Sequence, residues 1–269
     1  MKKLTHFIGS LILIFVILLC VLPFLYMILM SFKSTVNAYD MSFSLSSMTL
    51  EHYEKIFSNP SFVRYFANSM FVAVAGVLLT LFTSCTAGYA FAKLKFKGSD
   101  KLFLLLVLTM LIPSEVILVP LYLIVRGFGW ANTFKALILP LPTALGVFIM
   151  RQAILAVPTE LIESARIDGG SNFRILRSVI LPLVKTTMLT LAIFTFIGAW
   201  NNFTWPLIIT TKDEMRTLPL ALTTMKAQYD ADVGLTMACS VMTFLPPFLF
   251  YLFMQSKFEN GIALSGLKG

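Results

Sequence analysis

Residues 158–182 read PTELIESARIDGGSNFRILRSVILP, the one long polar and charged stretch set between two strongly apolar ones. Its grammar is helix, double glycine, helix, stop. Pro158 starts the first helix and Thr159 can cap it. Glu160 and Glu163 lie in its first turns, where carboxylates suit the helix dipole. Gly169-Gly170 fits a left-handed C-terminal cap. Ser171 can cap a second helix, whose apolar Phe173, Leu176, Val179 and Ile180 fall at helical spacing. Leu181-Pro182 is expected to end it.

The sequence on either side is not that of a soluble protein. Of 269 residues, 58% are hydrophobic and 13% charged, more apolar surface than an aqueous fold can hide. With roughly 20 apolar residues needed per hydrocarbon core, the chain reads as all-α and polytopic, with six spans in a single transmembrane domain over 1–269. The spans fall near Phe7–Met30, Tyr65–Phe91, Leu102–Val125, Ala136–Ile154, Leu183–Ile209 and Val233–Met254. The first run is too long for a signal-peptide core and lacks a small-residue cleavage site. Leu19 before Cys20 argues against lipoprotein processing, so the run is expected to remain as a span.

Two outer loops are expected, over 33–63, with a helical segment near Leu50–Phe57, and over 210–232. On the second span Gly76, Thr80, Ser84 and Gly88 recur every four residues, a spacing that lets membrane helices approach closely. The third span holds Pro113 and Pro120 and should kink. Glu115 is either a pathway carboxylate or an outer-end residue near water. The last span should be interrupted at Pro246-Pro247. Cys20, Cys85 and Cys239 read as small buried hydrophobes, and His6 and His52 as solvated or interfacial.

The net charge of +8 follows from topology. Placing both termini and the 156–182 segment on one side gives that side thirteen of the 21 basic residues, among them Lys93, Lys95, Lys97, Lys101 and Arg151. By the positive-inside rule that side is the cytoplasm. No nucleic-acid partner is needed. A phosphate-binding GxxxxGK[ST] loop is missing from the sequence, as are a His/Cys metal cluster and a nucleophile–histidine pair. The chain is therefore not expected to be an enzyme or to hold a cofactor.

The central segment resembles the coupling loop of ABC-type importer permeases. That family's pattern is Glu-Ala-Ala, three residues to a Gly, then about nine to a final Leu-Pro. Here it reads Glu163-Ser164-Ala165-Arg166-Ile167-Asp168-Gly169 and closes at Leu181-Pro182, with Ser164 where Ala is usual. The likeness extends to Asn68-Ser69, Pro120-Leu121-Tyr122, Leu139-Pro140, Trp200-Asn201-Asn202, Trp205-Pro206, Arg216-Thr217-Leu218-Pro219 and the tail Gly261–Gly269. Together these are similar to the smaller permease of maltose-type systems in the carbohydrate branch.

The resemblance implies a multi-pass subunit in the bacterial cytoplasmic membrane. Its partners would be a second, different permease, two ATPase copies that bind ATP and Mg²⁺, and an extracytoplasmic solute-binding protein. ATPase coupling would fall to Glu160, Glu163, Ser164, Ala165, Arg166, Asp168, Gly169, Gly170 and Pro182. The imported solute would be a sugar or oligosaccharide; glycerol phosphate or another polar solute is the alternative, and an ion-coupled carrier a further one.

Within the membrane, Thr190, Phe194, Ile197 and Asn201 share a helical stripe. With Glu115, Asn202 and Trp205 they are the candidates for the substrate pathway. Interfacial anchoring is the competing role for the tryptophans. For the central segment the competing role is an amphipathic connector lying on the headgroups.

Overall fold

The computed structural model describes residues 2–33, 48–94, 96–228 and 232–265. Most of the first expected outer loop, Lys95, the tip of the 210–232 loop and the end of the tail lie outside the described residues. In chain order the helices are α1 (Lys2–Ser31), α2 (Glu51–Ser58), α3 (Pro60–Lys93), α4 (Ser99–Thr109), α5 (Ser114–Gly127), α6 (Phe134–Ile138) and α7 (Ala144–Leu155). They continue as α8 (Thr159–Ile167), α9 (Asn172–Leu183), α10 (Lys185–Trp200), α11 (Thr204–Ile209), α12 (Leu218–Gln228) and α13 (Val233–Ser265). Among the described residues the only strand-like pairing is an isolated bridge between Lys33 and Met48.

Three helices are long and apolar enough to cross a bilayer unbroken: α1, α3 and α13. Three more spans are possible only if bent pairs count as one each: α4 with α5 (104°), α7 with α8 (80°) and α9 with α10 (82°). The third expected span is therefore a break, not a kink. Pro113 biases Ile112 away from helix and sits at the N-cap of α5, where its missing N–H costs nothing. Pro120, inside α5, does not interrupt it.

The expected fourth span is also divided, into α6 and α7, by the Pro140 and Pro142 stretch. The fifth stops at Trp200 and resumes as the short α11, where the Asn202 Oδ1 accepts the Trp205 N–H at 3.3 Å. The expected interruption of the last span does not occur: α13 runs on through Pro246-Pro247.

The described residues fall into two units. One holds the chain up to Val63 with Ala221–Pro246. There α2 is tied to the end of α1. Ser31 Oγ and Tyr53 Oη are 2.7 Å apart, and His52 Nε2 lies 3.0 Å from the Lys33 carbonyl. His52 is buried, not solvated, because this ring–carbonyl contact replaces water. In the apolar window of α1 no residue is buried, and Cys20 lies on that exposed surface, unlike buried Cys85 and Cys239.

The other unit, Arg64–Leu220 and the chain from Pro247, carries the site. Its spine is the seam between α3 and α7, and the small residues of α3 make it. A Cβ on Gly88 would stand 3.0 Å from the Arg151 amide nitrogen and 2.9 Å from Met150 Cβ. Buried Ser84 faces Gly146, and Gly76 faces Leu141. Close backbone approach replaces the hydrophobic effect as the adhesive between membrane helices.

Candidate functional site

The 158–182 segment folds as a knob of two helices joined by a glycine turn. Pro158, not Thr159, occupies the N-cap of α8, and Thr159 is its first helical residue. At the other end the two glycines have separate jobs. Gly169 takes φ +75°, which L side chains resist. Its N–H donates to the Arg166 carbonyl (3.0 Å) and the Gly170 N–H to the Ala165 carbonyl (2.9 Å). That double bond is the Schellman closure, which satisfies carbonyls the helix leaves open. Gly170 is needed for space: a Cβ there would stand 2.6 Å from the Ala165 oxygen. Ser171 Oγ accepts the Arg174 N–H at 3.3 Å and opens α9.

Pro182 does not stop the second helix. The chain relaxes into a π turn over Leu176–Ile180 and carries the proline as far as Leu183 before bending at Val184. The wider turn accommodates a residue that cannot donate to the helical ladder.

The knob has an inner and an outer face. Ile162, Ile175, Leu176 and Ile180 are buried against Cys85, Tyr89, Met150, Ile154, Val184 and Leu191 of the spans. The segment is thus held to the bundle by a continuous apolar core. The apolar stripe differs from expectation in two residues: Phe173 is 65% exposed, and Ile175, not among the expected ones, is buried. Outward stand Glu160, Glu163, Ser164, Arg166 and Asp168, with Ala165 half-buried. Ile167 is 86% exposed and Leu161 44%. The Arg166 guanidinium also lies near the buried Tyr89 hydroxyl of α3.

Two residues read in the sequence only as topological charge grip the knob's base. Lys93, the last residue of α3, sends Nζ to the Val157 carbonyl at 2.7 Å and the Leu155 carbonyl at 3.5 Å. Arg151 of α7 returns the contact, its Nε donating to the Phe91 carbonyl at 3.3 Å while the guanidinium sits 4.0 Å above the Phe103 ring. Each helix thus has its open C-terminal carbonyls met by a cation from the other. Basic residues at two apolar helix ends were the signal available beforehand.

The pathway candidates are not brought together. Glu115 is exposed in the first turn of α5 and accepts from Ser114 Oγ at 3.0 Å. Trp205 is 5% exposed, and its indole N–H donates to the Ala136 carbonyl at 2.8 Å. It packs with Val72, Val125, Leu137 and Ile209, leaving no polar handle for a solute. Trp200 is buried against Phe66 and Phe196. The stripe on α10 does face outward: Phe194 and Asn201 are exposed and Thr190 is half-buried, its Oγ1 donating to the Thr186 carbonyl at 3.0 Å. Asn202 is half-buried and spent on the Trp205 amide.

Away from the knob, the stretch 211–218 is fastened to the start of α3. Tyr65 Oη donates to the Asp213 carboxylate at 2.8 Å, and Arg216 pairs with the same carboxylate at 3.3 Å. Asn68 Nδ2 donates to the Glu214 and Arg216 carbonyls, and Ser69 Oγ accepts the buried Leu218 N–H at 2.8 Å. Two of the sequence's motifs, Asn68-Ser69 and Arg216–Pro219, are thus the halves of one clasp.

Residues 81–262, which contain the whole knob and the Ser84 and Gly88 contacts of α3 with α7, match the family described as the inner membrane component of binding-protein-dependent transport systems. The chain belongs to that family. The permease is 34% identical over 261 residues to the arabinooligosaccharides transport system permease protein AraQ of Halalkalibacterium halodurans, covering 95% of this chain and 94% of that one. It is 32% identical to the probable starch degradation products permease AmyC of Thermoanaerobacterium thermosulfurigenes, over 99% and 97% of the two chains. To the lactose permease LacG of Rhizobium radiobacter it is 27% identical, over 91% and 90%. Its fold matches a chain of a bacterial ABC transporter that imports the acidic polysaccharide alginate, with TM-score 0.83, 21% identity, and 96% and 97% coverage. The permease is accordingly a membrane-embedded transport subunit and not an enzyme.

Proposed function

We propose that this permease forms half of the translocation pathway of an ATP-driven importer of sugars or oligosaccharides. The observation that carries this reading is the knob: a closed two-helix projection, anchored by Ile162, Ile175, Leu176 and Ile180, that offers charges and the bare side chains of Leu161, Ile167 and Phe173 outward. Covering an apolar side chain of that size is worth about 1.5–3 kcal/mol, so the outer face is suited to a partner surface. The relatives' solutes, arabino-oligosaccharides, starch products and lactose, favour a carbohydrate.

In this reading both termini and the knob face the cytoplasm, and the spans number six: α1, α3, α4 with α5, α6 with α7, α10 with α11, and α13. The knob is the coupling helix, seated on one of two ATPase subunits, and a second, different permease completes the pore. A solute-binding protein delivers the cargo outside. ATP is bound and hydrolysed in the partner; nucleotide drives the cycle because it binds one arrangement of the assembly better than the other. Asn201, Phe194 and the half-buried Thr190, the outward stripe of α10, would meet the solute.

The test is to isolate the tagged permease from membranes with its partners, identify the solute held by the co-purified binding protein, and measure its uptake into vesicles. Uptake of that sugar should require internal ATP. Recovery with no ATPase, or uptake that follows an ion gradient instead, overturns the reading.

A further inference from the structure

We infer that Lys93 is a positioning residue that fixes the elbow between α7 and the knob, so that the knob moves the α3–α7 pair as one body. The inference rests on the coupling role proposed for the knob and adds the part through which its movement enters the membrane.

The chain turns by 80° between α7 and α8. Nothing covalent sets that angle beyond a three-residue turn, Ala156–Pro158. Lys93 sets it from outside. Its ammonium holds the carbonyl of Leu155, the last residue of α7, and that of Val157, inside the turn itself. Val157 is buried in the same apolar core as Ile162 of α8, so the turn is held by a cation on one side and packing on the other.

The lysine is also firmly mounted. It ends a 34-residue helix, α3, whose last turn is itself held by Arg151 of α7 through the Phe91 carbonyl. About one turn before these cross-bonds, Gly88 lets the two helix backbones approach closely. Two helix ends joined by reciprocal caps and a backbone contact form a joint with little play. Rotation of α8 about the elbow must either break the Lys93 bonds or carry α3 and α7 with it.

The experiment uses the assembled transporter in proteoliposomes, with uptake and ATP hydrolysis measured together. Lys93→Met keeps the aliphatic stem and removes the donor; Lys93→Arg restores a donor of similar reach. Lys93→Met should retain the ATPase subunits and hydrolyse ATP, while solute taken up per ATP falls at least about tenfold; Lys93→Arg should recover most of it. A packing role alone would not separate the two rates.

Wild-type uptake per ATP in Lys93→Met overturns the inference, as does parallel loss of hydrolysis and uptake that Lys93→Arg fails to restore. Loss of the ATPase subunits from Lys93→Met also overturns it, by making Lys93 a docking determinant. Should Lys93→Met fail to accumulate, Lys93→Leu, which also lacks a donor, faces the same outcomes. Uptake that never depends on ATP, even in the wild type, instead removes the coupling role beneath it.

Discussion

Asn68 and Arg216 stand 148 positions apart, yet the side-chain amide of the first donates to the carbonyl of the second at 2.9 Å. Through this bond and its neighbours at Tyr65, Ser69 and Asp213, the beginning of α3 holds the segment leading into α12. Removing the amide in Asn68→Ala strands two carbonyls, and Ser69→Ala strands the buried Leu218 N–H. Each change should cost about 1–3 kcal/mol. The pair should be less than additive because the two side chains serve one clasp. Thermal unfolding of the detergent-purified complex reads this directly; melting curves matching wild type would show the clasp to be idle.

The two glycines of the knob should respond differently to alanine. Gly169→Ala puts a side chain into a left-handed conformation at about 1–2 kcal/mol. Gly170→Ala drives a methyl against the Ala165 oxygen and should cost more, because the clash is with backbone. Gly169→Asp and Glu163→Lys should abolish uptake while the protein stays in the membrane. Uptake assays with membrane immunoblots distinguish this from lost expression, and normal uptake by either variant would remove those residues from the coupling surface.

Along α3, Gly88→Leu should disrupt the α3–α7 seam, since even its Cβ meets the Met150–Arg151 backbone. Gly198→Ala on α10 is the matched control. Nothing lies within 4 Å of the added atom, and alanine favours helix by about 0.8–1.0 kcal/mol. Gly88→Leu is expected in reduced yield and with a lowered melting temperature, Gly198→Ala at wild-type yield or above. Equal behaviour of the two would mean the seam is loose.

On the outward stripe of α10, Asn201→Ala should change uptake rate or solute preference without releasing the ATPase, whereas Trp205→Phe should change stability only. The indole N–H it loses serves Ala136, worth about 0.5–1.5 kcal/mol. Competition uptake with several sugars, alongside co-purification, separates the two effects. An unaltered sugar profile and rate in Asn201→Ala would take the stripe out of the pathway.

What could be read from the chain in advance divides along a physical line. The knob was legible because its rules are local: a glycine where φ turns positive, a serine oxygen that accepts an N–H three residues on, apolar residues at helical spacing. The small residues of α3 were legible because spacing alone brings them to one face. The breaks were not. Pro113 and Pro120 look alike in sequence, yet one stands at the N-cap of α5 after a break and the other rides inside the helix. Pro182 looked like a terminator and is absorbed by a π turn. Trp205 could have faced a cavity or the core, and only the position of the Ala136 carbonyl settles it. Lys93 and Arg151 were counted as charges because their acceptors are main-chain carbonyls some 60 residues distant.

The bareness of Ile167 and Phe173 has a bearing on manufacture as well as motion. On the proposed reading, a subunit made without the ATPase leaves these side chains in water, so an overexpressed lone copy should be recovered chiefly as aggregate, and supplying the ATPase alongside should raise its yield.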